Sequence, residues 1–193
     1  MEFQEIGSAI DTLYLIKQSL FDPEYLLTDH THNFGKLIYD SLELEIGMAC
    51  TAGKSWKFDY DFEPFGKREV LIYDDSHNLL GHVIREYSNL SAPPVLTMAD
   101  GLKATFVDVA AFSNDHEWIS SETGRLIHIK SPAFSLTDTI TIIRKDIPAD
   151  TIALLCFLAE HMLILKKETP GIILFSFTRC IKKPLPAYSS ILA

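Results

Sequence analysis

The sequence predicts a mainly β protein, an antiparallel sheet closed into a barrel around one apolar α-helix near the C-terminus. Three observations carry this. Between Tyr14 and Lys145, turn signals recur about every dozen residues and separate segments of alternating apolar character. The stretch 149–167, ADTIALLCFLAEHMLILKK, leaves no polar stripe when wound as a helix, because Leu154, Leu155, Phe157, Leu158 and Leu165 are spread around the axis. A helix that is apolar all round is buried all round. No other segment reads as a convincing helix, so the sheet is the wall available to bury this one, and a sheet that surrounds a helix closes into a barrel.

Taken in order, the N-terminus MEFQEIGSAIDTLY carries acids in place of a basic n-region and has no apolar h-region, so no secretory signal is expected. Residues 3 to 13 could hold a turn or two of helix. Tyr14 to Phe21 alternates as a strand, with Tyr14, Ile16, Gln18 and Leu20 on one face. In TDHTHNF, His30 and His32 would share a face of a strand beside Asp29. A surface strand leading to a turn is the simpler reading, since third and fourth metal ligands are not specified. Leu42 to Met48 could hold another helical turn or two. TAGKS ends in Gly-Lys-Ser, but Met48 stands where a phosphate loop needs its first glycine.

Further along, REVLIYDDSHNLLGHVIRE reads as two strands around an Asp/Ser/His/Asn turn. Asp100-Gly101 in VLTMADGLKATFVDV is the strongest short hairpin signal, and Thr123-Gly124 turns a second hairpin. FSLTDTITIIRK is rich in β-branched residues and runs almost directly into the helix. That helix, at about 148–167, has Pro148 near its first position, Asp150 in its first turn, and Lys166 and Lys167 in its last. Thr169, Pro170 and Gly171 are expected to stop it. Ile172 to Phe177 could add a strand, and the Pro184/Pro186 tail is expected to be loosely held.

The 193 residues fit one domain, 1–193, with no Gly/Ser-rich linker to divide it. Hydrophobic residues form 47% and charged ones 22% of the chain, enough to build a real core. A net charge of −9 disfavours nucleic acid and broad adhesion to anionic membranes, though a local basic patch could survive it. Cys50, Cys156 and Cys180 form no Cys-x-x-Cys pair, so neither a disulfide framework nor a zinc site is indicated, and free thiols point to the cytoplasm. The apolar stretch is too short and too interrupted, by Glu160 and His161, for a spanning helix of roughly 20 residues.

Three stretches resemble the tubby C-terminal-like superfamily, in its scramblase-like and LURP-one-related branch. LYLIKQSLF is similar to that branch's entry strand and REVLIYDDSHNLLGHVI to its hairpin. DIPADTIALLCFLAEHMLI is similar to its Pro-then-apolar helix interrupted by one acid, here Glu160. The resemblance covers roughly residues 13–167 and implies a barrel of about 12 strands around the helix, whose structural residues would be Ile152, Leu155, Phe157, Leu158, Glu160 and Met162. It also implies recognition of phospholipid head groups. Two departures stand out. TITIIRKD, before the helix, lacks the acids of a calcium segment, and residues 168–193 form an extension without a family counterpart.

For function, the sequence assigns no catalytic, cofactor-binding or metal residues. Glu160 in an apolar helix either finds a hydrogen-bond partner or stays protonated, and structural satisfaction is the preferred reading. Cys156 reads as core, and Cys50 has no adjacent base. Lys54, Lys57, Lys67 and Arg68 lie among Trp56, Phe58, Tyr60 and Phe65, so a loop pair could present cations beside aromatics at a lipid interface. Arg179, Lys182 and Lys183 form a second basic group on the tail. The expected function is a non-catalytic binding or scaffold module, cytoplasmic and peripheral to the membrane, whose ligand is an anionic phospholipid or membrane surface. The alternative is a protein-interaction module using the acidic surface and the tail; an enzyme or small-ligand barrel would need an internal cavity.

Overall fold

The computed structural model describes the backbone of residues 2–19, 23–40, 43–62, 68–85, 92–110, 113–133 and 135–179, with side chains as far as Lys166, except those of residues 40, 43, 44, 62 and 68. Twelve strands precede one helix: β1 Thr12–Lys17, β2 Glu24–Thr28, β3 Asn33–Asp40, β4 Glu43–Thr51, β5 Ser55–Phe62, β6 Arg68–Tyr73, β7 Leu79–Arg85, β8 Val95–Met98, β9 Lys103–Asp108, β10 Asp115–Ser120, β11 Gly124–Lys130, β12 Thr137–Ile142 and α1 Ala149–Arg179. Each strand pairs antiparallel with the next, and β1 pairs with β12 to close the barrel, with Leu13 opposite Ile140 and Leu15 opposite Asp138. Closure leaves no free sheet edge.

Alternation decides what faces inward. Leu13 and Leu15 of β1, Leu37 and Tyr39 of β3, Trp56 and Phe58 of β5, Val70 and Ile72 of β6, and Ile140 and Ile142 of β12 are buried, while the residues between them are more exposed. The turns between strands define two rims. The first carries residues 29–32, 52–54, 74–78, 99–102 and 121–123, and it receives the start of α1; the second carries the other connections. At the first rim, Asp74 builds its turn by accepting from the backbone N–H groups of Ser76 and Asn78, and Gly101 adopts φ 98° in the Asp100-Gly101 hairpin.

α1 threads the barrel. Asp150 meets Lys54 at the first rim, and Lys166 meets Asp108, the last residue of β9, at the second. In between, the Trp118 indole on β10 donates to the Leu155 carbonyl at 3.0 Å, while the Tyr39 hydroxyl on β3 lies 3.0 Å from His161 Nδ1. Strands from well-separated parts of the wall thus hold the same helix. Residues 152–161 are buried at every position, as an all-round apolar helix requires. Sixteen residues at about 1.5 Å each give roughly 24 Å from Asp150 to Lys166, close to the length of the longer strands. At the tightest approach a Cβ on Gly35 would fall 2.4 Å from the Cys50 carbonyl oxygen and 3.0 Å from Phe157, so only hydrogen fits there.

Three expectations are corrected. The helix does not stop at Thr169-Pro170-Gly171 but continues to Arg179, so Ile172 to Phe177 is helical and not a strand. Proline removes one hydrogen bond at a cost of about 3 kcal/mol without forbidding the next turn. A further strand would also find no edge to join, because β1 and β12 are already paired. Finally, of the stretch Leu42 to Met48 expected to hold a helical turn or two, residues 43–48 are strand: β4 covers Glu43–Thr51 and is paired on both sides, and Leu42 lies outside the described residues.

Leu158 is fully buried at mid-helix. Replacing it by Asp places an unpaired charge inside the filled barrel and is expected to remove on the order of 5 kcal/mol of stability. Chemical denaturation measures this, and a midpoint close to the parent's would place residue 158 in water.

Candidate functional site

Of the four basic residues of the candidate lipid segment, the three whose positions are described lie at different places along the wall. Lys54 sits in the β4–β5 turn at the first rim, its ammonium 3.4 Å from Asp150. Lys57 lies along β5, 2.7 Å from Asp59, with its ammonium 5.9 Å from the Tyr73 ring centroid. Arg68 opens β6 opposite Phe62, at the second rim. The length of β5, roughly 23 Å at 3.3 Å per residue, separates Lys54 from Arg68. Lys67 lies outside the described residues. The period of the strand alone separates these cations, since a hairpin of eight-residue strands puts its turn and its open end on opposite rims.

The helix residues named from the sequence are in the core. Ile152, Leu155, Phe157, Leu158 and Glu160 are buried, and Met162 is partly buried at the end facing the second rim. Sequence reasoning missed the partner of this polar step. His161 follows Glu160 and is completely buried, with Nδ1 on the Tyr39 hydroxyl and its ring stacked on Tyr39 at 5.6 Å and tilted against Phe58 at 5.5 Å. Gly47 makes room for it, since a Cβ there would lie 3.3 Å from Nδ1. His161 Nε2 is buried without a hydrogen-bond partner among the described residues. Burial pushes the imidazole down to about 3, and it raises the Tyr39 phenol well above its usual value, with Glu160 and Tyr25 adding to that rise.

The second rim holds another polar cluster. His116 on β10 is buried, with Nδ1 2.8 Å from Asp108, which also accepts from Lys166 at 2.8 and 3.1 Å. Burial would raise the Asp108 carboxyl, but Lys166 and His116 outweigh it and hold it below the usual range. For His116 burial wins over the attraction of Asp108 and lowers its value. One residue along β10, Glu117 points to the outer face, where it accepts from Arg125 and lies 3.0 Å from His128 Nδ1. Among the described residues, the side-chain hydrogen bonds of both histidines go to carboxylates. Both pairs follow cross-strand register, Asp108 opposite His116 and Glu117 opposite His128, which sequence spacing does not reveal before the strands are paired.

The remaining sequence candidates resolve locally. His30 adopts φ 74° and lies tilted against the Tyr14 ring, while His32 lies against Asp29 within the same turn, so the two histidines do not share a ligand position. Among the described residues no group of three or more potential ligands could hold a metal. Cys156 is buried in α1, and burial raises its thiol. Among the described residues the interior is filled by α1, and two cavities lie near its ends. A cavity of about 130 Å³ lies under the N-terminal segment at the first rim, lined by Ile6, Ile10, Ile142, Ile147 and Ile152; one of about 40 Å³ lies at the second rim beside Tyr60, Arg85, Met162 and Lys166. No described helix is long and apolar enough to cross a membrane.

No protein-family model, curated protein or solved structure matches this chain.

The buried imidazole has a pH signature. The folded state keeps His161 neutral down to about pH 3, whereas the unfolded chain protonates it near 6.5. The unfolded state therefore binds more protons in that window, so this contribution to stability is complete above pH 7 and falls as pH drops, by about 1.4 kcal/mol per pH unit. Denaturation of the parent and of His161→Phe across pH 4 to 8 is expected to show a stability difference that is constant above pH 7 and shifts against the parent below 6.5. A difference independent of pH would mean that the ring is solvated.

Proposed function

We propose that the chain is a tubby-like barrel acting as a non-catalytic binding module, cytoplasmic and peripheral, that recognises an anionic phospholipid head group or membrane surface through its second rim. The observation that carries this reading is the filling of the barrel by its own helix. Among the described residues α1 occupies the interior from Asp150 to Lys166, and the cavities near its ends, about 130 and 40 Å³, are smaller than the usual 300–1,000 Å³ of a ligand site, which favours recognition on the outer surface. Twelve antiparallel strands around an apolar helix interrupted by Glu160 support the tubby-like resemblance.

The second rim is favoured by what it gathers. Val95 at the start of β8, Val109 after β9 and Leu136 before β12 are three of the six large hydrophobic residues that are exposed among the described residues, at 42%, 50% and 44%. Lys130 ends β11 at the same rim, Lys166 marks the passage of α1 through it, and Arg68 opens β6 there. Apolar side chains beside lysines are the composition of a surface that seats at the head-group boundary. The first rim instead builds its turns on Asp29, Asp74 and Asp100.

Flotation with vesicles containing phosphatidylserine and phosphoinositide tests the reading. Binding is expected at low salt, with steep loss as ionic strength rises and little binding to neutral vesicles, because each basic residue near the surface contributes about 1 kcal/mol within a Debye length. Val109→Asp with Leu136→Asp is expected to weaken binding by about tenfold or more, and Lys54→Gln to leave it unchanged, with melting temperatures near the parent's since all three side chains are exposed. Absence of flotation at low salt would overturn the lipid reading in favour of a protein partner.

A further inference from the structure

At the second rim a cleft of about 40 Å³ lies between α1 and strands β5 to β7. Tyr60, Val70 and Val83 line it from the wall, and they form one cross-strand row, Tyr60 opposite Val70 and Val70 opposite Val83. Met162, Leu165 and Lys166 line it from the helix, as side chains at i, i+3 and i+4 on one face. Arg85 completes the lining. It is the last residue of β7, two positions after buried Val83, so the period of the strand returns it to the same inward face.

The inward positions deeper along these strands are apolar, as at Phe58, Val70, Ile72 and Val83. Arg85 breaks that pattern at the mouth of the barrel, and Lys166 brings a second cation from the helix. Among the described residues the cleft is lined by these two cations and by no carboxylate. Asp108 on β9, which is not part of the lining, holds the Lys166 ammonium at 2.8 Å and so fixes its place beside the cleft. Strand register adds a third basic residue, because Arg68 stands opposite Arg85 in the β6–β7 ladder. Like charges directly opposite one another are unfavourable in a sheet, and an anion at that level is attracted by both.

Composition selects the kind of anion. Arginine presents a planar fork that matches phosphate oxygens, lysine a compact point charge, and Tyr60 contributes a hydroxyl. Apolar Val70, Val83, Met162 and Leu165 keep the local dielectric low, which strengthens contacts between these donors and an anion. The volume suits a group of a few non-hydrogen atoms.

We propose that this cleft is a phosphoryl-binding site, in which Arg85 and Lys166 clamp a phosphomonoester that reaches the second rim. The site rests on the membrane reading above and specifies its ligand as a head group that carries a phosphomonoester, as phosphatidic acid and the phosphoinositides do. Recognition is then of a chemical group and not of surface charge alone. A free phosphate offers the same chemistry, and the two sources separate by experiment.

The test uses the full chain, inorganic phosphate, and vesicles of phosphatidylcholine with phosphatidic acid or phosphatidylserine at matched surface potential. The parent is expected to float with phosphatidic acid about tenfold better than with phosphatidylserine, since only the former presents a phosphomonoester to the bidentate fork. Arg85→Gln with Lys166→Gln is expected to weaken binding to phosphatidic acid about thirtyfold, the combined effect of two cations, and to erase the preference. Arg85→Lys keeps the charge and removes the fork, so it is expected to lose the preference while salt-sensitive binding to both lipids remains. That variant keeps the test decisive where the double Gln variant has a lowered melting temperature. Inorganic phosphate, compared with chloride at equal ionic strength, is expected to raise the melting temperature of the parent and to leave that of the double variant unchanged. A parent that floats equally with both lipids, or a double variant that floats like the parent, overturns the phosphoryl site and leaves the membrane reading standing. Stabilisation by phosphate without flotation overturns the membrane reading and keeps the site, with a soluble phosphate as its ligand. Neither flotation nor stabilisation overturns both.

Discussion

The volume inside twelve closed strands is the constraint on which the rest depends. A barrel of this size is too wide for its own inward side chains to meet across the axis, and an empty apolar interior would cost every contact its lining side chains now make. α1 supplies the missing contacts, and inward residues such as Leu13, Leu27, Leu37, Ile72 and Ile129 are fully or almost fully buried as a result. Dependence runs both ways, since a helix with no polar face has no stable place in water outside the wall. Barrel and helix are therefore expected to form as one cooperative unit, with Gly35 and Gly47 marking where strand and helix come closest.

Polar groups inside this core fix the position of the helix along the axis. Leu side chains can slide past one another at little cost, but the Trp118 indole must find the Leu155 carbonyl, and the Tyr39 hydroxyl must find His161. These contacts come from β10 and β3 and lie almost two helical turns apart along α1, so a shift of one turn would break both. Lys54 with Asp150 and Lys166 with Asp108 repeat the registration at the two rims. Those rim pairs are partly exposed and contribute modestly to stability; their role is to mark the ends. The buried pair carries more, because an unmet hydroxyl or imidazole in this interior costs its full desolvation.

Filling the barrel also determines what the molecule can do. With its interior committed to α1, the fold resembles a plugged wall more than a ligand-binding barrel, and the two rims become its distinct surfaces. One is built of aspartate-based turns and covered by the N-terminal segment, through Gln4 to Asn33 and Asp11 to Ile142. The other carries exposed Val95, Val109 and Leu136 and the passage of α1 at Lys166. This polarity follows from an even number of antiparallel strands: every second connection returns to the same rim, so turn chemistry written locally in the sequence accumulates on one face.

The sequence by itself determined the class of this fold, because its evidence is local. Strand alternation, the Asp100-Gly101 and Thr123-Gly124 turns, and the absence of a polar stripe between Ile152 and Leu165 are all readable within a few residues, and the structure places each as expected. Candidate sites were less legible, because a site is a set of distances. Lys54 and Arg68 are 14 positions apart and look like one segment, yet β5 carries them to opposite rims. Asp108 with His116, Glu117 with His128, and Tyr39 with His161 became neighbours only through strand register and the threading of α1. The stop expected at Pro170 failed for a related reason. Local propensity registers the lost hydrogen bond, but whether a strand could follow depended on a free sheet edge, and the pairing of β1 with β12 had already removed it.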